Sequence, residues 1–157
     1  MSSMVLAGDN SWFQLTIDRY QFPHNTNDEW DSNWLVVEGQ VRLDGREWMF
    51  IDPCLTTFEV QQLADWLEAA AAGTADKPFC GFVEPNLQFD LVEARVLRVS
   101  FALESAPPWA EQGDDWRKHG FNVPIGPSLG DAAQALRRQL KNFPVRGPDP
   151  GRSSEDR

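Results

Sequence analysis

The chain has 157 residues, of which 24 are acidic and 14 basic, giving a formal net charge of −10 at pH 7. That length suits one core burying roughly 70% of the unfolded surface, and 41% apolar residues with seven Trp and ten Phe fill it without a disulfide or structural metal. So acidic a surface disfavours nucleic acid and anionic membrane and attracts basic partners, two His and two Cys with no C-x-x-C pair disfavour zinc, and no run approaches the roughly 20 apolar residues of a membrane span.

Met1 to Trp12 carries Asp9 and Asn10 where a secretory signal needs a basic segment and an apolar run, so the expected location is cytoplasmic, with Cys54 and Cys80 as free thiols. From Trp12 the residues alternate: Phe13, Leu15 and Ile17 share one face, the period of a half-buried strand. A polar loop, 25–33, follows. Leu35, Val37, Gly39, Val41 and Leu43 then share a face up to Asp44-Gly45, a strong two-residue hairpin signal. That turn sets Leu43 against Arg46, Val41 against Trp48 and Gly39 against Phe50, so an aromatic covers a strand glycine, while Arg42 meets Glu47 on the other face.

Leu55-Thr56-Thr57-Phe58-Glu59-Val60 announces a helix: Thr56 and Glu59 form a capping box, and Leu55 with Val60 a hydrophobic staple. Val60, Leu63, Leu67 and Ala70 make its buried stripe, Asp65 and Glu68 its wet side, and Gly73 its end. Strands are predicted next at Phe79 to Val83, Leu87 to Val92 and Val96 to Leu103. The last two pair odd with odd across a three-residue loop, which sets Asp90 opposite Arg98. Phe121, Val123 and Ile125 form a last strand. A second helix runs from Ser128 to Asn142 on Leu129, Ala132, Ala133, Leu136 and Leu140, and Pro144 stops it. Strands in runs argue an α+β fold: an antiparallel sheet, or a two-sheet sandwich-like core, of about seven strands with two packed helices. Residues 1–145 are expected to form one domain, and 146–157, rich in Pro, Gly, Ser and charge, a disordered tail.

No catalytic constellation assembles. Gly126-Pro127-Ser128-Leu129-Gly130 matches G-x-S-x-G, but that arrangement needs a His after the Ser, and His24 and His119 both precede it; Ser128 reads as a helix N-cap instead. The loop from Asn27 to Asn33 offers alternating oxygens, but Ser32 stands where a calcium loop turns on glycine and Glu38 lies in a strand, so it reads as an acidic loop. His24 and His119 read as surface histidines, and Cys80 between Phe79 and Phe82 as an inert core thiol. Glu84 and Asp90 are a carboxylate pair of unknown separation. Trp48 and Trp66 fit core positions, while Trp30 and Trp109, flanked by charge or proline, suit an exposed binding surface. No cofactor or metal is implied. Residues 1–93 hold 16 acidic against 4 basic side chains, and 94–145 hold 5 against 7, so the negative field belongs to the amino-terminal part.

The stretch Asp31-Ser32-Asn33-Trp34-Leu35-Val36-Val37, the hairpin with Trp48 and the helix start Leu55 to Glu59 are similar to the WapI-type bacterial immunity proteins. So are Phe82-Val83-Glu84-Pro85-Asn86-Leu87-Gln88-Phe89 and the strand from Leu97 running into Pro107-Pro108-Trp109. The resemblance implies a small intracellular, non-enzymatic protein that binds and neutralises the toxic domain of a contact-dependent toxin, a tRNA nuclease in the type case. On this reading the partner is a basic toxin domain, and Asp28, Glu29, Trp30 and Asp31, three acids beside a Trp, form part of the docking face. The rival readings are a small enzyme or ligand-binding domain with a cleft between sheet and helix, and a sugar-binding β-domain using exposed Trp.

Overall fold

The alternation that starts at Trp12 is a strand, β2 (Ser11–Tyr20), and beside it runs a strand that alternation does not announce, β1 (Met4–Gly8). In β1 both faces are apolar: Met4 and Leu6 go to the core while Val5 and Ala7 stay exposed, so no polar residue marks the period. The computed structural model describes residues 3–28, 31–93 and 95–147. β3 (Trp34–Leu43) and β4 (Arg46–Thr56) complete an antiparallel sheet of order β1-β2-β3-β4. Asp44 and Gly45 both take positive φ, 50° and 85°, as a primed two-residue turn requires. The expected register follows, with Leu43 against Arg46, Arg42 against Glu47, Val41 against Trp48 and Gly39 against Phe50.

β4 runs without a loop into α1 (Thr57–Ala72). Thr56 caps it, Glu59 closes the box, and Gly73 in the left-handed region ends it. Glu59 also accepts from the backbone N–H of Val83 at 2.8 Å, so one carboxylate both starts the helix and pins the 81–86 turn.

The second sheet is β5 (Phe79–Cys80), β6 (Leu87–Glu93), β7 (Val96–Phe101) and β8 (Gly120–Pro124), antiparallel in that order. Leu87 pairs with Phe101, Phe89 with Val99, Leu91 with Leu97, and Asp90 stands opposite Arg98. The expected charge pair does not close, because the Arg98 guanidinium turns to Asn122 and to the carbonyls of Arg117 and Gly120. Two strands are shorter than predicted. β5 stops at Cys80, and β7 ends at Phe101 because Leu103 takes φ 54° in a 3-10 turn, Leu103–Ser105, that leaves it exposed. Among the described residues there are therefore eight strands where the pattern gave about seven, in an α+β fold.

The sheets face each other through aromatic rings: Phe13 meets Phe101 edge-on at 5.0 Å, and Trp48 meets Phe101 at 5.5 Å. Each such buried side chain contributes on the order of 1.5–3 kcal/mol. α2 (Pro127–Leu140) packs on α1 and β1 and buries Leu129, Ala132, Ala133, Ala135 and Leu136. Its Gln139 is fully buried and takes the place of a missing strand. Beyond the start of β1, its amide donates to the Leu15 carbonyl (3.1 Å) and accepts from the Ile17 N–H (2.6 Å). Ser128 is not the cap: Gly126 holds that position, Pro127 is the first helical residue, and Ser128 lies exposed in the first turn.

Candidate functional site

Four carboxylates from four separate elements converge on one groove. Asp31 opens the 3-10 turn Asp31–Asn33 ahead of β3, Asp52 stands in β4 just before Pro53, Glu84 rides the 81–86 turn, and Glu104 the turn after β7. With Phe22 and Trp34 they line a space of about 380 Å³. Buried Asn86 holds part of the wall: its Nδ2 donates to Asp52 (3.3 Å), Glu104 (3.5 Å) and Ser105 Oγ (3.2 Å).

Burial raises the Asp52 pKa, repulsion from Glu104 and Glu84 raises it further, and the Asn86 hydrogen bond works against both. Among the described residues none of the four carboxylates has a Lys, Arg or His within 4 Å. The groove therefore carries acceptors and negative charge with no cation within 4 Å among the described residues, and Trp34 is part of its lining. Chemically it suits a guanidinium or ammonium group.

Of the four residues expected in the docking loop, Asp31 reaches this groove. Asp28 lies outside the lining and is exposed; its Oδ1 accepts from the Asp31 N–H at 2.8 Å, which shapes the turn. Glu29 and Trp30 lie outside the described residues. The loop is held from the far end of the chain. The Arg146 guanidinium donates to the carbonyls of Phe22 (3.3 Å), Pro23 (3.1 Å) and Asn25 (3.1 Å), and it lies 3.6 Å over the Tyr20 ring. Its backbone exchanges two hydrogen bonds with Asn33, whose Oδ1 also accepts from Thr57. Arg146, placed by sequence at the start of a tail, is thus an anchor. The rest of that expected tail, 148–157, lies outside the described residues.

Of the other expectations, those for His119 and Trp109 change, and those for His24, Trp48, Trp66, Cys54 and Cys80 hold. His119 is buried, with Nε2 3.0 Å from Asp114, because the turn before β8 folds it inward. The Glu111 backbone N–H first, and then that contact, lower the Asp114 pKa. His24 is exposed on the 22–25 loop. Trp109 is half-buried, edge-on to Trp48 at 5.3 Å with Arg46 over its ring, so it extends the core and offers no open platform. Trp48 and Trp66 are buried and bond to the Ser105 and Lys77 carbonyls. Cys54 and Cys80 are buried free thiols, each pushed up to about 12, first by desolvation.

Sequence reasoning singled out Glu84, but with Asp90, which instead sits on β6 opposite Arg98. It missed Asp52 and Glu104 altogether. Register along each hairpin was readable, whereas the juxtaposition of the β4 end with the turn after β7 depends on how the two sheets stack. The one local signal was the run of turn residues from Glu84 to Asn86.

The model of the immunity protein WapI-like family matches residues 4–144 of the chain. No curated protein matches it.

Proposed function

Because the chain belongs to the immunity protein WapI-like family, we propose that it is a non-enzymatic inhibitor that binds and neutralises a toxin domain bearing a basic surface. The observation that carries the basic partner is the groove of Asp31, Asp52, Glu84 and Glu104, four carboxylates with no cation within 4 Å among the described residues. An arginine or lysine of the toxin entering it would relieve that repulsion, and Asp28, Glu29 and Trp30, which precede Asp31 in the chain, are proposed to add to the same contact. A nuclease is a natural target, since enzymes that hold RNA or DNA carry basic clefts. Long-range attraction speeds encounter, and salt screens it over about 10 Å at 0.1 M. On this reading the protein works in the cytoplasm, where the toxin it neutralises would act. No helix among the described residues is long and apolar enough to cross a membrane.

The test is neutralisation. The product of the reading frame next to this gene, expressed alone in a bacterial host, should arrest growth, and co-expression of this protein should restore it. Replacing Asp31, Asp52, Glu84 and Glu104 with Asn or Gln should slow association several-fold at low salt and leave folding intact. If the wild-type protein gives no rescue from a toxic neighbour, the reading fails.

A further inference from the structure

The first sheet has one edge covered and one open. β1 is flanked by α2 and β8, but among the described residues β4 has only β3 as a strand neighbour. The hairpin fixes which of its backbone groups face outward. Flanking a two-residue turn, Leu43 and Arg46 form a hydrogen-bonded pair, so Trp48 and Phe50 also bond to β3, while the N–H and C=O of Glu47, Met49 and Ile51 point away from it. Among the described residues nothing donates to or accepts from the backbone of those three. The Leu103–Ser105 turn lies alongside, yet its hydrogen bond to β4 comes from the Trp48 indole N–H.

Natural sheets guard such an edge with lysine, proline or a bulge. Here one exposed charge, Glu47, opens the stretch, and Pro53 with the register shift across Val37–Leu35 closes the edge only after Asp52. Before them stand Met49, 56% exposed, and Ile51, 55% exposed, both on the outer face. Parity sorts the chemistry of the two faces. Odd residues of β4 present this apolar pair outward, and even residues point the other way, where the row Trp48, Phe50, Asp52 ends at the groove with Glu104.

We propose that the free edge of β4 over residues 47–51 is a docking site for an extended segment of a protein partner. That segment adds a fifth strand, with apolar side chains alternating against Met49 and Ile51 and basic ones directed to Asp52 and Glu104. Backbone hydrogen bonds supply the pairing and alternate side chains the selectivity, as in strand addition generally. Charge selects the occupant. A second copy of this chain, itself at −10, would bring like charge to the groove, whereas a lysine- or arginine-bearing strand brings the opposite. The proposal deepens the inhibitor reading by naming how the toxin is gripped, and it rests on that reading only for the partner's identity.

The experiment is amide hydrogen exchange by NMR on the whole chain, with an acetylated, amidated eight-residue peptide of alternating lysine and valine as the probe. The amides of Glu47, Met49 and Ile51 should exchange fast in the free protein and slow at least tenfold with peptide, while those of Trp48 and Phe50 stay protected throughout. A glutamate–valine peptide should do nothing, and Met49→Lys with Ile51→Lys should abolish the effect of the lysine–valine peptide without changing the melting temperature. Three results overturn the proposal: protection at 47, 49 and 51 in the free protein, peptide binding without protection there, or protection that grows with protein concentration alone. Failure of the inhibitor reading is seen separately, as loss of rescue by the wild-type protein, because the peptide titration needs no toxin.

Discussion

Gly39 has no room for a side chain. A Cβ built there would lie 2.1, 2.3 and 2.7 Å from three atoms of the Phe50 ring, where ordinary carbon contacts begin near 3.5 Å. For Gly39→Ala to be accommodated, the ring has to retreat by more than an ångström. It has nowhere easy to go, being 5% exposed and confined between Phe13 at 6.3 Å and Phe101 at 6.5 Å. Overpacking of this kind costs about 1–3 kcal/mol, reduced by roughly 0.4–1 kcal/mol because alanine restricts the unfolded chain. The net should appear as a fall of several degrees in melting temperature, at roughly 2–4 °C per kcal/mol for a chain of this size. Phe50→Leu should itself destabilise, but in that background Gly39→Ala should cost little or nothing, since the ring atoms it strikes are gone. Urea and thermal unfolding of the four proteins in the cycle give the coupling energy. If Gly39→Ala costs the same beside Leu as beside Phe, the ring is not what excludes the methyl group, and the reasoning from close approach is wrong.

Gln139→Leu should cost about 2–4 kcal/mol by urea unfolding, because it leaves the Ile17 N–H and Leu15 carbonyl buried without a partner; a loss under 0.5 kcal/mol would mean that water replaces the amide. Asp52→Asn should stabilise the protein at pH 7. The folded-state pKa of Asp52 is raised above 3.8, so ionising it costs stability as pH climbs through the window above that value; the gain, under about 1 kcal/mol at so solvated a site, should vanish below pH 3.5 in a pH series of melting curves. Arg146→Ala removes three donated hydrogen bonds and a ring contact, and should lower stability by about 1–2 kcal/mol while amide exchange quickens across residues 21–28; unchanged exchange there would show that Asn33 alone anchors the loop.

What the sequence disclosed was whatever depends on neighbours along the chain. The Asp44-Gly45 turn carried the whole β3–β4 register, and Thr56 with Glu59 marked the start of α1, because both signals are local geometry. β1 escaped because Met4 to Gly8 is apolar on both faces, and Ser128 was misplaced as a cap because Pro127, pre-set for the first helical turn, moves the boundary back to Gly126. The groove was mostly hidden for a different reason. Asp31, Asp52, Glu84 and Glu104 span 74 positions of chain, and their meeting is a consequence of sheet stacking and of the anchoring by Arg146, neither of which leaves a periodic trace. His119 and Trp109 looked exposed because of their polar and proline-rich neighbours, yet long-range packing drew both inward.

The two cysteines make the protein a quiet background for covalent labelling. With both thiols near pKa 12, their thiolate fraction at neutral pH is roughly three orders of magnitude below that of an exposed cysteine near 8.5. A single cysteine introduced at Met49 or Asp28, both exposed positions, would therefore take a maleimide dye almost alone. Cys54 and Cys80 would react only when the core opens. One molecule would then carry two clocks: a fast one reporting whether a partner shields the labelled face, and a slow one counting excursions out of the folded state.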